Sequence, residues 1–221
     1  MCQPSQLTVS RPRPELIAGA DLRHDLDALF VNPPLRDYRV RERSNDYTLP
    51  VLGMAYIATY AKQIAGFNVG VLDAEAYGLA LEDTVQLINS VRPRWVGLNL
   101  LAPTYEMSAR IATALDPQTA LMAGGHHARA LPGRILQDPR MRHLSALIIG
   151  EAETRVSALL HDVKRRTELP QVFWREMNSD SFAQSSCSLS RSDMVDSAHQ
   201  RHPPPGSVVP GPGSLSSPRA G

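Results

Sequence analysis

Apolar segments of two kinds alternate through the middle of the chain. Short runs of β-branched and other apolar residues, closed by turn residues, occur at ALFVN (28–32), NVGVLD (68–73), RWVGLNL (94–100), TALMAG (119–124) and SALIIG (145–150). Their apolar positions run on without alternation, the signature of strands buried on both faces. Longer stretches of helical period separate them. PVLGMAYIATYAKQIAG (50–66) sets Met54, Ile57, Ala58, Ala61 and Ile64 on one stripe and predicts a C-cap at Gly66. LEDTVQLINSV (81–91), TYEMSARIATAL (104–115), ARALPGRILQD (128–138) and EAETRVSALLHDVKRR (151–166) supply the other helices. The last opens on Glu151 and Glu153 and closes on Lys164 to Arg166, as the helix dipole favours. Strands that each lead into a helix predict an α/β fold, a doubly wound five-stranded parallel sheet of flavodoxin-like order 2-1-3-4-5.

Outside this region the pattern fades. Residues 1–26 carry Pro4, Pro12 and Pro14 among polar residues and are expected to be a loose leader, with the domain over 27–166 and a linker over 167–179. From 180 to 221 the chain is rich in Ser, Pro and Gly, with Phe182 its one aromatic residue. So little apolar surface cannot offset the entropy of ordering, and this tail is expected to be disordered and dispensable for folding.

Charge excludes some partners. The 23 basic and 22 acidic residues nearly balance and are scattered, so no electrostatic footprint for nucleic acid appears. No apolar run approaches the roughly 20 residues of a membrane span, and MCQPSQLTVSRPRPELI lacks a signal peptide's apolar segment, so a cytoplasmic location is expected. Cys2 and Cys187, the only cysteines, cannot form a four-thiolate zinc site or an iron–sulfur cluster by themselves.

In a parallel sheet, ligands bind beyond the carboxyl ends of the strands. The residues there are Asn32-Pro33-Pro34, Asp73-Ala74-Glu75, Leu101-Ala102-Pro103-Thr104-Tyr105, Gly124-Gly125-His126-His127-Ala128 and Gly150-Glu151. Glycines, prolines and small residues let a ligand approach the backbone and favour a crevice over four unrelated tight turns. No G-x-G-x-x-G, G-x-x-x-x-G-K-[ST] or G-x-S-x-G is present. Neighbouring His126 and His127 seldom share one ion, and neither histidine nor cysteine stands at helical spacing from them, so no metal ligand is assigned; a loop histidine bonding backbone or a ligand phosphate is expected. Asp73 reads as a turn or cap residue, and no catalytic residue is assigned.

The ordered segments NPP, LPVLGMAYIATYAKQIAGFNV, VLDAEAYGLALEDT, VGLNLLAPTY, AGGHHARALP and IIGEAETRVSALL together resemble the N-terminal cobalamin-binding domain of cobalamin-dependent radical S-adenosylmethionine enzymes, many of them methyltransferases. The resemblance covers about Leu29 to Leu160, continuing weakly through Val172-Phe173-Trp174-Arg175. It implies cobalamin as cofactor, with contacts from Asn32, Pro33, Pro34, Leu101, Ala102, Pro103, Thr104, Tyr105, Gly124, Gly125, His127, Ala128, Gly150 and Glu151. Gly124 and Gly125 are expected to leave space for the nucleotide tail, so that a side chain there would displace the ligand and spare the fold. The Thr104 hydroxyl is expected to donate to the cofactor.

Two departures follow from the same comparison. The D-x-H-x-x-G that supplies a lower cobalt ligand in related domains has no counterpart after the first strand, and DAEAYG (73–78) follows the second strand instead. C-x-x-x-C-x-x-C is also missing, so no iron–sulfur cluster is expected in this chain. A cobalamin carrier acting with a separate radical catalytic chain, or a truncated relic of a longer enzyme, fits these departures, with no enzymatic activity of its own. The alternatives are a flavodoxin-like nucleotide- or flavin-binding domain and a relic that binds nothing.

Overall fold

A computed structural model describes residues 12–42, 51–161, 172–175 and 182–184. Its elements run β1 (Ala28–Asn32), α1 (Leu52–Gln63), β2 (Val69–Asp73), α2 (Leu81–Val91), β3 (Trp95–Asn99), α3 (Tyr105–Ala114) and β4 (Ala120–Gly124). Then come α4 (His126–Ala130), α5 (Pro132–Gln137), β5 (Leu144–Ile148), α6 (Glu153–His161), β6 (Val172–Arg175) and β7 (Phe182–Gln184). The strands form one sheet in the order β2-β1-β3-β4-β5-β6-β7. β1 to β5 pair in parallel, as their unbroken apolar runs imply, and Asn32 stands beside Asp73 and Asn99 beside Gly124.

Alternate side chains of these strands enter two separate cores. On one face Leu29, Val31, Leu72, Val96, Leu98, Leu121 and Leu147 pack with α2, α3 and α5. On the other, Phe30, Val69, Trp95, Met122 and Ile148 pack with α1 and α6. Complete burial of side chains such as Leu29, Trp95, Ile111 and Leu121 is the main stabilising contribution. Gly97 is required by packing here, since a Cβ on it would lie 2.6 Å from the Phe30 ring.

Four expectations change. The sheet has seven strands rather than five, because β6 pairs antiparallel with β5 and β7 antiparallel with β6. Two segments of four and three residues carry too little periodicity to announce themselves, although Val172 is completely buried. β7 falls inside the segment expected to be disordered; the rest of 180–221 lies outside the described residues. The helix expected over 128–138 is broken into α4 and α5 at Leu131, which Pro132 drives out of the helical region (φ −136°, ψ 50°). In α1, Met54 and Ala61 are buried and Ile57 and Ala58 partly so, but Ile64 is 69% exposed, because the chain leaves the helix there. Gly66 makes that exit at φ +74°, its N–H bonding Lys62 O.

Part of the expected leader is fastened to the sheet. Ala18 exchanges two backbone hydrogen bonds of 2.9 Å with Val71, which covers the edge of β2, and Ile17 and Leu26 are buried. Asn68 holds the same segment: its Oδ1 accepts from Asp21 N at 2.9 Å, and its Nδ2 donates to Asp21 O at 2.8 Å and Asp25 O at 3.0 Å. Polar residues hid this role, because the leader contributes its backbone rather than an apolar stripe. Among the described residues, no helix is long and apolar enough to cross a membrane. Asn68→Ala is expected to lower stability by about 1 kcal/mol in urea unfolding, through the loss of half-buried amide bonds. An unchanged midpoint would mean that the leader contributes nothing to the fold.

Candidate cofactor-binding edge

Four of the five parallel strands leave the sheet on a polar residue or glycine at a common level. Asp73, Asn32, Asn99 and Gly124 end β2, β1, β3 and β4, and the parallel register aligns them. Asn99 Nδ2 donates to Asn32 Oδ1 over 3.3 Å, and Asn32 Nδ2 donates to Asp73 Oδ1 at 2.9 Å. Asp73 Oδ1 also accepts from Ala76 N at 3.0 Å, the turn role its position predicted. Asn32 is almost wholly buried, whereas Asn99 is half-exposed and its Oδ1 has no hydrogen-bond partner among the described residues. The row thus ends in an open acceptor.

The turn after β1 is fixed from the side. Glu75 accepts from Leu35 N at 2.6 Å and from the Tyr38 hydroxyl at 2.7 Å, which keeps Pro33 and Pro34 buried. Glu75 is therefore engaged within the protein. No histidine occurs between Asn32 and Pro50, so that turn offers no imidazole to a metal.

The turns after β3 and β4 are built against each other. Leu100 N donates to Gly124 O at 2.7 Å, and His127 N donates to Leu100 O at 3.0 Å. Between these bonds Gly125 adopts φ +105°. A Cβ on it would lie 2.7 Å from Asn99 Oδ1 and 2.8 Å from Leu100 O, and one on Gly124 would lie 3.3 Å from Ile148 O. The chain's own packing thus requires glycine at 125 and leaves little room for a side chain at 124.

Thr104 lies beneath the turn after β3. It is 5% exposed, and its hydroxyl lies 3.4 Å from both Leu101 N and Leu101 O, so it closes its own turn. Tyr105 opens α3 and donates its hydroxyl to Asp138 Oδ2 at 2.9 Å. Burial, then the bond to Asp138, holds the Tyr105 phenol well above its usual range. Its ring centroid lies 4.8 Å from that of His127.

The fourteen sequence-chosen residues therefore divide by depth. Asn32, Pro33, Pro34, Thr104 and Ala128 are buried supports, and Leu101, Tyr105, Gly124 and His127 are half-exposed. Ala102, Pro103, Gly125, Gly150 and Glu151 are exposed, so the rim after β3, β4 and β5 is mostly small and uncharged. Sequence reasoning missed Asn99 as a site residue, although a polar residue ending an apolar strand in line with Asn32 was its signal. Glu75 and Asp138 were not legible, because their partners lie about 40 and 33 residues away. A groove of about 390 Å³ lies elsewhere, along β2 beneath α1, lined by Val51, Ala55, Ala58, Val71 and Tyr77, and meets the edge at Asp73.

The B12 binding domain family matches residues 39–160, more than half of the 221. The chain belongs to that family. Cobalamin is accordingly its cofactor. The cytidylyl-2-hydroxyethylphosphonate methyltransferase of Streptomyces wedmorensis is 26% identical over 161 residues, covering 63% of this chain and 29% of its own. Among solved structures, the cobalamin-dependent S-adenosylmethionine radical enzyme OxsB, with aqua-cobalamin and S-adenosylmethionine bound, matches with a TM-score of 0.56 at 12% identity. That match covers 75% of this chain and 23% of OxsB. The radical S-adenosylmethionine methyltransferase TsrM from Kitasatospora setae, with cobalamin and a [4Fe-4S] cluster bound, matches at 0.53 and 16% identity, over 70% and 30% of the two chains. These likenesses show the fold. The chain spans less than a third of the length of the proteins it matches.

The carboxyl edge suits a bulky, amide-fringed cofactor. Small exposed residues bring backbone within reach, and the Asn99 carbonyl can accept from a side-chain amide of the B12-domain cofactor. The glycine geometry carries its own prediction. Gly125→Ala is expected to cost about 2 kcal/mol or more, through positive φ and contact with Leu100 O. Gly133→Ala, which meets nothing within 4 Å in α5, is expected to be neutral or stabilising. Equal melting temperatures for the two variants would contradict the packing described.

Proposed function

We propose that this chain is a cobalamin-holding module whose cofactor rests on the carboxyl edge of β1, β3, β4 and β5. The observation that supports this reading is the aligned row Asp73–Asn32–Asn99–Gly124, ending in an open acceptor beside a small-residue rim. In this reading Leu101 to Pro103, Gly125 and Gly150 bring backbone close to the ligand. His127 and Asn99 supply side-chain hydrogen bonds, and the buried Asn32, Pro33, Pro34 and Thr104 hold the turns in place. Cobalamin supplies a cobalt centre able to carry a methyl group. The chain's own residues would bind and orient it, and the turn after β1 has no imidazole to offer it.

These 221 residues contain two cysteines, too few for a cluster-binding C-x-x-x-C-x-x-C. The similarity to methyltransferases supports a role for the module in methyl transfer, with any radical S-adenosylmethionine part supplied by residues other than these 221.

Purified protein mixed with hydroxocobalamin and desalted is expected to retain the corrin absorption bands. Asn99→Ala is expected to weaken retention about fivefold or more, the equivalent of one ligand hydrogen bond. Loss of all colour from the wild type, or undiminished affinity in Asn99→Ala, would contradict the proposal. Retention of flavin instead would move the chain to a flavodoxin-type role.

A further inference from the structure

Tyr105, His127, Asp138 and Arg140 form a cluster behind the cofactor-binding edge. Asp138 begins the 3-10 turn Pro139–Met141, with its Oδ1 accepting from Arg140 N at 2.9 Å. Arg140 folds back on the same carboxylate, donating from Nε at 3.1 Å and from Nη2 at 2.9 Å, and pairs with Glu106 at 2.6 Å. The carboxylate also accepts from the Tyr105 hydroxyl.

The arrangement is more specific than a helix tie requires. The Arg140 bonds hold the Asp138 carboxyl below the usual carboxylate range, so it accepts as a full anion while the Tyr105 phenol stays protonated and donates. A tyrosine fixed at both ends presents a ring of set orientation. Against it lies the His127 imidazole, with ring planes inclined at 44°. The imidazole is half-exposed, its nitrogens have no hydrogen-bond partner among the described residues, and its backbone is fastened to Leu100 O. The turns that rim the edge thus share one brace, whose anchor sits on the α5–β5 connection.

We propose that Asp138 is a positioning residue for the cofactor: through Tyr105 it sets His127 to donate a hydrogen bond to an amide or phosphate oxygen of cobalamin. This rests on the cobalamin reading above. A residue that merely ties α3 to the turn before β5 would affect stability alone, whereas a brace acting through His127 must lose its effect on binding when that imidazole is removed.

The test is a double-mutant cycle read by absorption titration with hydroxocobalamin, with thermal unfolding of each variant alongside. Asp138→Asn and Tyr105→Phe, which keep shape and ring, are each expected to weaken affinity about fivefold, and combining them to add little more. In a His127→Ala background, Asp138→Asn is expected to change affinity less than twofold. In the ligand-free protein, Asp138→Asn is expected to move the His127 imidazole nitrogen signals in NMR. Equal effects of Asp138→Asn with and without His127, full affinity in both conservative variants, or unmoved imidazole signals would each overturn the proposal. Failure of the wild type to take up cobalamin would sink the cobalamin reading itself; wild-type binding with an additive cycle would sink this proposal alone.

Discussion

The junction between the ends of β3 and β4 governs the rest of the edge. Leu100 gives its N–H to Gly124 and its carbonyl to the N–H of His127, so one residue fastens both turns. Gly125 must pass within van der Waals contact of Asn99 and Leu100 for those bonds to close, and only a residue without Cβ does so at φ +105°. From this contact follow the level of Asn99, the direction of α4 and the meeting of Tyr105 with His127. A β4 turn shifted outward would separate the rim into unrelated loops.

The parallel sheet extends that local contact into a site. Parallel register brings the last residues of β2, β1, β3 and β4 to a common level, and their side chains to one face. Four residues spread over some ninety positions of sequence become adjacent, with amides linked from Asn99 to Asp73. The flanks support this arrangement. The leader covers β2 on one side, and β6 and β7 extend the sheet beyond β5 on the other. A scaffold so supported can hold a bulky cofactor at its rim with few polar side chains, because backbone position does most of the orienting.

Legibility in sequence followed the range of the interaction. Strands β1 to β5 were readable to within a residue or two, since each is an unbroken apolar run closed by Gly, Asn or Asp, and burial on both faces writes itself into composition. β6 and β7 were not, because a short antiparallel return has no period of its own. The leader's role was hidden for a related reason, as Ala18 pairs through its backbone. At the site, the turns were legible and the direction of their groups was not. Thr104 turns its hydroxyl onto its own turn, and Gly125, though exposed, is required by the packing of Asn99 and Leu100, distinctions decided by φ and by neighbours from another strand. Asp138, with its partner tyrosine far away in sequence, leaves no local pattern.

The central claim is that cobalamin sits on the carboxyl edge rather than in the groove beneath α1. Amide hydrogen exchange followed by mass spectrometry, with and without hydroxocobalamin, separates the two. The account predicts slowed exchange in peptides covering 99–105, 124–128 and 148–152, with peptides from α1 and β2 unchanged. Protection confined to 51–62 and 69–77, or absent throughout, would contradict it.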